Sequence, residues 1–209
     1  MIDIVIPAHN EEKTVGQIVS ACKAAALGSV IVVADACTDS TALAASSADA
    51  VVQIGAHDKG SAMAAGLARV GEPYVLFIDA DLSGLTAAHV RALAEVPPMD
   101  GQVVGLTESM INRWSKLGLP PISGERRLPT AFARTIRLEG AGYKAELMID
   151  AAVADAGLPH QAYVMAGVTN PSRKASDPVG WASMFGRLGL YSVEHLPALV
   201  RYSVTAYGR

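Results

Sequence analysis

Tyr74-Val75-Leu76-Phe77-Ile78-Asp79-Ala80-Asp81 is the stretch whose reading decides the fold. A short apolar run ends abruptly in two carboxylates separated by one small residue. Such a run, apolar on both faces, reads as a buried strand of a sheet covered by helices on either side. Similar β-branched runs lie at Ile2–Ile6, Val30–Val33, Ala50–Ile54 and Gln102–Val104. Alanine-rich stretches with helical spacing separate them, at Thr14–Leu27, Thr38–Ser46, Ser61–Val70 and Thr86–Glu95. This alternation predicts βαβ units: a single α/β domain with a mostly parallel, Rossmann-like sheet and helices on both faces. Thr14 is an expected helix N-cap, and Asp39-Ser40-Thr41 offers several more.

The second half has a different texture. Pro97-Pro98 and Pro120-Pro121 bracket a connector, and Ser123-Gly124-Glu125-Arg126-Arg127 reads as a polar turn. Ala145–Ala156 is an expected helix and Gln161–Val168 an expected late strand. In the tail, Trp181, Met184, Phe185 and Leu188 fall on one helical face, a stripe that offers core packing or a homodimer surface.

Composition narrows the function classes. The 209 residues are 51% hydrophobic and 18% charged, with a net charge of −3, so disorder is excluded. The pI near 5.9 argues against a generic binder of phosphate backbones, and no nucleic-acid partner is expected. Cys22 and Cys37 can build neither a disulfide framework nor a four-cysteine metal site. Met1–Pro7 lacks a basic n-region and an apolar stretch of signal length, and no run reaches the ~20 residues of a membrane span. A cytoplasmic protein without a transmembrane segment is the expectation.

In an open parallel sheet the ligand crevice lies at the carboxyl ends of the strands. There the sequence places Pro7-Ala8-His9-Asn10-Glu11-Glu12, Asp35 to Thr41, His57-Asp58-Lys59-Gly60 and Asp79-Ala80-Asp81. Polar groups gather at one sheet edge from four separate strand ends. A lone D-x-D is usually a pair of solvated turn aspartates. Leaving a buried strand beside three other polar loops, it can instead direct oxygen ligands toward a hard cation such as Mg²⁺ or Mn²⁺.

These four motifs, in this order, resemble those of family 2-like glycosyltransferases with the GT-A fold, over residues 2–85. Ser123–Arg127 and Gly142-Tyr143-Lys144-Ala145-Glu146-Leu147-Met148-Ile149-Asp150 are similar, in part, to the acceptor half of glucosyl-3-phosphoglycerate synthases. The resemblance implies a nucleotide-sugar-binding half at 1–106, an acceptor-binding half at 107–175 and a helical tail at 176–209. It implies transfer of a hexose from a nucleotide diphosphate sugar to a hydroxyl acceptor, assisted by Mg²⁺ or Mn²⁺.

By the same resemblance Pro7, Ala8, Asn10 and Glu11 line the nucleoside pocket, and Asp35 accepts from a pyrimidine N3–H, which favours a UDP-sugar. Lys59 meets the diphosphate or base, and Gly60 admits the ligand backbone-close. Asp79 and Ala80 belong to the donor site, with Asp81 and Asp79 as metal ligands. Glu146, Asp81 and Arg126 are the expected catalytic residues. Arg126 or Arg127 offers a guanidinium fork to a carboxylated or phosphorylated acceptor. Glu146 either deprotonates the acceptor hydroxyl or positions substrate, depending on stereochemistry. A histidine completes the metal site in such enzymes. Gly167–Ser172 contains none here, and Arg113-Trp114, with Met110 upstream, only approaches the Q-x-x-R-W pattern of processive synthases.

Two other readings stay open on the residues alone. A sugar-phosphate nucleotidyltransferase would carry a glycine-rich basic loop where Pro7–Glu12 stands. A non-catalytic nucleotide-sugar binder would have no need of Asp79 and Asp81. The G-x-G-x-x-G of a dehydrogenase is absent.

Overall fold

The apolar runs form strands in the expected sequence, and their pairing builds one seven-stranded sheet. The structure, a computed structural model, describes residues 1–107 and 123–170. β1 (Ile2–Ala8) lies between β2 (Val30–Asp35) and β4 (Tyr74–Phe77), and β3 (Ala50–Ile54) flanks β2, all parallel. Beyond β4 come β6 (Arg126–Pro129), β5 (Gln102–Leu106) and β7 (His160–Val164), giving the order β3-β2-β1-β4-β6-β5-β7. β6 runs antiparallel to both neighbours, whereas β5 and β7 are parallel. The fold class is as expected, α/β with a mostly parallel sheet.

Alternation along β1 assigns the two cores. Ile4 and Ile6 pack with Ile18, Val19 and Cys22 of α1 (Val15–Ala25) and with Val90 and Leu93 of α4 (Ala87–Glu95). Val5 faces the other side, where Met63 and Leu67 of α3 (Lys59–Leu67) join Phe77, Leu128, and Ile149 and Val153 of α6 (Ala145–Asp155). The spacing 15, 18, 19, 22 of the buried α1 residues is one face of a helix. Burial raises the Cys22 thiol to about 12, as befits an inert core residue.

Several element boundaries differ from the expectation. The segment Thr38–Ser46 forms one turn only, α2 (Thr41–Ala44), because Asp39 diverts the chain: its Oδ1 accepts the Thr41 N–H at 3.0 Å. Thr14 precedes α1 without capping it, since its hydroxyl donates instead to Glu11. α4 does start on a capping box, with His89 in the role usually taken by Glu: its Nδ1 receives the Thr86 N–H while its own N–H reaches the Thr86 hydroxyl. The late strand stops at Val164, and Thr169 then returns to pair with Ser83. A short helix α5 (Thr130–Ala133) and a 3₁₀ turn (Gly142–Lys144) connect β6 to α6.

The largest correction concerns Ser123–Arg127. It is not a solvated turn: from Arg126 onward it is strand β6, and Glu125, Arg126 and Arg127 are all buried. Charged residues enter a sheet interior only with partners, and both arginines have them, as described below. The tail stripe at Trp181–Leu188, the Arg113-Trp114 near-motif and Pro120-Pro121 lie outside the described residues.

Asp3 shows what a carboxylate does at the opposite sheet edge. Its oxygens accept the backbone N–H groups of Ser29, Gly71 and Glu72, tying two turns to the start of β1. Among the described residues no helix is long and apolar enough to cross a membrane.

Candidate active site

The carboxyl ends of β1, β2, β3 and β4 open on one edge, as the topology requires. Asp58 starts α3 by capping it, its Oδ1 accepting the Ser61 N–H at 2.7 Å. Lys59 is therefore the first helical residue, and its ammonium lies 2.7 Å from Asp79 Oδ1 and 2.6 Å from Glu146 Oε1. Burial disfavours the charged ammonium, but attraction to Asp79 and Glu146 and the hydrogen bonds to both outweigh it. Lys59 is held above the usual lysine range. Three groups from β4's end, α3 and α6 thus meet at one point. The sequence reading placed all three in the site, without the ion pairs that join them.

Backbone, not side chain, backs Asp79. A Cβ added at Gly124 would fall 2.1 Å from Asp79 Oδ1, so only glycine fits there. Ala80 is buried, and Asp81, 8% exposed, accepts from Asn170 Nδ2 at 3.3 Å. Asn170 is brought there by the Ser83–Thr169 bridge, whose N–H···O bonds measure 2.8 and 2.9 Å.

Donor chemistry decides whether a cation suits this edge. Asp81 supplies hard carboxylate oxygens at this edge, the donor type suited to a hard divalent ion that keeps positions for phosphate oxygens, while Asn170 turns its amide nitrogen toward Asp81. Asp79 and Asp81 are the two carboxylates at this edge that could hold such an ion, Asp79 while also paired with Lys59. Among the described residues no group of three or more His, Cys, Asp or Glu side chains could hold a metal. The oxygen set would be completed by the ligand itself.

Glu125 was not singled out by sequence. It lies buried beside Gly124, with Oε2 against the Ser123 hydroxyl and Oε1 without a hydrogen-bond partner. Burial first, then the nearby Asp79 charge, pushes it up to about 8. Ser123 has one hydroxyl proton and two acceptors in reach, Glu125 and the Gly105 carbonyl at 2.6 Å. A proton on Glu125 satisfies both contacts. No local signal in the sequence distinguishes Glu125 from a surface glutamate.

Arg126 does not present a fork to an acceptor. Its Nη1 donates to Asp150 Oδ1 at 2.8 Å and to the Glu146 carbonyl at 3.1 Å, while Nε and Nη2 donate to the Ser123 carbonyl. Arg127 turns to the other face of the sheet, where Nη1 donates to the carbonyls of Ala94 at 2.7 Å and Val96 at 2.8 Å and Nη2 to that of Pro98. It caps the carboxyl end of α4, a favourable place for a cation. Side chains alternate along a strand, which is why neighbours in sequence serve opposite faces.

The first three loops form a hydrogen-bonded cluster. His9 Nδ1 lies 2.7 Å from the Asp35 carbonyl, and the His9 and His57 rings meet edge to face at 4.5 Å. Asn10 Oδ1 accepts the Thr38 N–H at 2.8 Å, and the Glu11 N–H donates to the Thr41 hydroxyl at 2.7 Å. Glu12 is similarly engaged, its Oε2 accepting from the Ser40 N–H. Asp35, 3% exposed, receives the N–H groups of His57 at 2.8 Å and Asp58 at 2.6 Å, so its carboxylate holds the β3–α3 loop. Pro7 and Ala8 are paired within β1, opposite Val33 and Ala34. Asn10, Ala36 and His57 all adopt left-handed backbone, with φ of 55°, 48° and 51°. Strain of this kind clusters at functional sites. At Gly60 it is the protein itself that comes close: a Cβ there would fall 2.1 Å from the Leu138 carbonyl oxygen, so this packing requires the glycine.

Residues 3–87 match the model of Glycosyl transferase family 2. No curated protein matches the sequence. Among solved structures, the chain resembles glucosyl-3-phosphoglycerate synthase from Mycobacterium tuberculosis in complex with Mn²⁺, UDP and phosphoglyceric acid, at 19% identity and TM-score 0.76, over 93% of this chain and 78% of that one. The same enzyme with Mg²⁺ and UDP gives 19% identity and TM-score 0.75, and with Mn²⁺, UDP-glucose and phosphoglyceric acid 18% and 0.75, both over 93% of this chain and 79% of that one. The fold is therefore the GT-A fold. Its first strands and loops carry the family 2 glycosyltransferase pattern, as in the glucosyl-3-phosphoglycerate synthases it is similar to.

Proposed function

We propose that this protein is a glycosyltransferase that moves a hexose from a nucleotide diphosphate sugar, UDP-linked by preference, to a hydroxyl of a small acceptor. The observation that carries the proposal is the meeting of Lys59, Asp79 and Glu146 at the carboxyl edge of the parallel strands. Support comes from the family 2 pattern over residues 3–87 and from solved neighbours that hold UDP-glucose with Mn²⁺. The preference for UDP rests on those neighbours, since the Asp35 carboxylate is committed to its own loop.

The residues divide the work in the following way. The strained loops at Asn10, Ala36 and His57, with Pro7, Ala8 and Glu11, form the nucleoside side. Asp81, with Asp79, would hold Mg²⁺ or Mn²⁺, which when bound neutralises charge developing on the departing diphosphate. The Lys59 ammonium adds a second fixed positive charge at the same point, preorganised by its two ion pairs. Glu146 orients the acceptor hydroxyl toward the sugar, a contribution of proximity and alignment. Arg126 acts behind the site, holding Glu146, rather than on the acceptor. Phosphoglyceric acid, present in the neighbours, is the first acceptor to try.

The test is calorimetric titration of UDP, GDP and their glucose and mannose conjugates, with and without Mn²⁺, on wild type and Asp81→Ala. Metal-dependent binding of one diphosphate, lost in the variant, is expected. A folded protein that binds none of them overturns the proposal.

A further inference from the structure

The buried charges behind the site close a circuit. Lys59 Nζ joins Asp79 to Glu146 on the open side. On the buried side the Glu146 carbonyl receives Arg126 Nη1 at 3.1 Å, and Arg126 reaches the Ser123 carbonyl through Nε at 3.0 Å and Nη2 at 2.5 Å. Ser123 precedes Gly124, whose backbone lies against the Asp79 carboxylate and leaves no room for a side chain. Lys59 therefore joins Asp79 to Glu146 through their side chains, whereas Arg126 joins the Glu146 backbone to the Ser123–Gly124 corner that abuts the Asp79 carboxylate.

Asp150 is the countercharge that fixes the second cation. Neither Arg126 nor Asp150 has measurable exposure, and their Nη1–Oδ1 distance is 2.8 Å. Gln102 Nε2 donates to the same Oδ1 at 2.8 Å, while Asp150 Oδ2 has no hydrogen-bond partner. Asp150 follows Glu146 by four positions on α6, one helical turn, so both lie on the same face of that helix. Burying an ion pair is a poor route to stability, because desolvation offsets the attraction. What this pair does achieve is geometric: it binds the first turn of α6 to the Ser123–Gly124 corner.

We infer that Arg126 and Asp150 are a positioning pair that sets the Glu146 carboxylate against Asp79, and hence the acceptor hydroxyl against the donor. The inference rests on the proposed role of Glu146 at the acceptor. Neither residue touches substrate. Removing the pair leaves the nucleotide loops intact, because these hang on β1, β2 and β3, but it lets the α6 turn drift from Lys59.

The test replaces the pair with apolar residues of similar bulk, Arg126→Met with Asp150→Leu, a change that buried ion pairs often tolerate in stability. Asp150→Asn is the second variant, keeping volume and removing only the countercharge should the double variant not fold. The first readout is the ¹⁵N signal of the Lys59 side-chain ammonium, assigned with Lys59→Met. In the wild type this signal is expected to exchange slowly with water, because the ammonium is held by two carboxylates. In the variants it is expected to shift or broaden away, while UDP binding in Mn²⁺ stays within two-fold. With UDP-glucose and 3-phosphoglycerate, KM for the donor stays within two-fold and kcat falls at least ten-fold. A folded variant with an unchanged Lys59 signal overturns the inference, whatever its melting temperature. A wild type that binds no UDP overturns the glycosyltransferase reading instead, and the Lys59 signal still decides whether the pair positions Glu146.

Discussion

Gly124 lies flush against the Asp79 carboxylate, so close that a Cβ would stand 2.1 Å from Oδ1. The neighbour is a short, half-buried side chain already held by Lys59, not the free end of a flexible one. Gly124→Ala must therefore displace either the Ser123–Glu125 corner or Asp79 itself. Overpacking of this kind costs about 1–3 kcal/mol, and here it also opens the Lys59–Asp79 contact. The expected outcome is a lower urea midpoint together with at least ten-fold weaker UDP binding in Mn²⁺. Weakened stability with unchanged UDP affinity would place Asp79 outside the donor site.

Lys59 is expected to be both structural and functional. Lys59→Met leaves Asp79 and Glu146 facing each other without the cation between them. Breaking a fully buried ion pair by removing one partner costs about 3–5 kcal/mol; with Lys59 and Asp79 half-buried, urea denaturation near neutral pH should show a clear loss below that range. Lys59→Arg is not expected to restore binding of the diphosphate, because a planar fork cannot replace a compact ammonium between two carboxylates from different elements.

Arg127 separates the sequence reading from the structural one. Read as part of a polar turn, it would face an acceptor. In the structure it donates to carbonyls at the end of α4. Arg127→Met should lower stability by about 2–3 kcal/mol, from lost charge-assisted hydrogen bonds and carbonyls left unpaired. Nucleotide binding and turnover at a temperature where the variant is folded should match wild type. A raised KM for an anionic acceptor would place Arg127 at the acceptor instead.

Those arginines mark where sequence legibility ended. The strands, their parallel order and the polar loops at their ends were readable, because buried parallel strands are apolar on both faces and their loops fall on one edge. Asp79, Asp81, Lys59 and Glu146 were all found through that logic. The strand at Arg126–Pro129 was not, since burial of a charged pair depends on Asp150 and on the α4 carbonyls, partners far away in sequence. Gly60 was legible as a site of close approach, but whether a ligand or the Leu138 carbonyl approaches is a tertiary fact. Asp35 illustrates the same limit: its residue type suits a base contact and a loop anchor equally. Left-handed Ala36 left no mark at all, because alanine does not favour that backbone.

Glu125 predicts how stability responds to pH. Its carboxyl is raised from 4.5 to about 8 by burial and by the Asp79 charge, so between these values the folded state holds a proton that the unfolded chain has released. Stability then falls as pH rises from about 4.5 to about 8 and levels off beyond, the sign required when the native state binds more protons. Asp39 and Asp49 are lowered and weaken the fold only as pH falls through their own range. Urea unfolding across pH 5 to 9 should show the decline. Glu125→Gln, which keeps the amide-sized group and removes the titration, should flatten part of it and leave the variant more stable than wild type at pH 9. An unchanged slope in Glu125→Gln would mean that Glu125 is ionised in the folded protein, with the Ser123 hydroxyl directed to it instead of to Gly105.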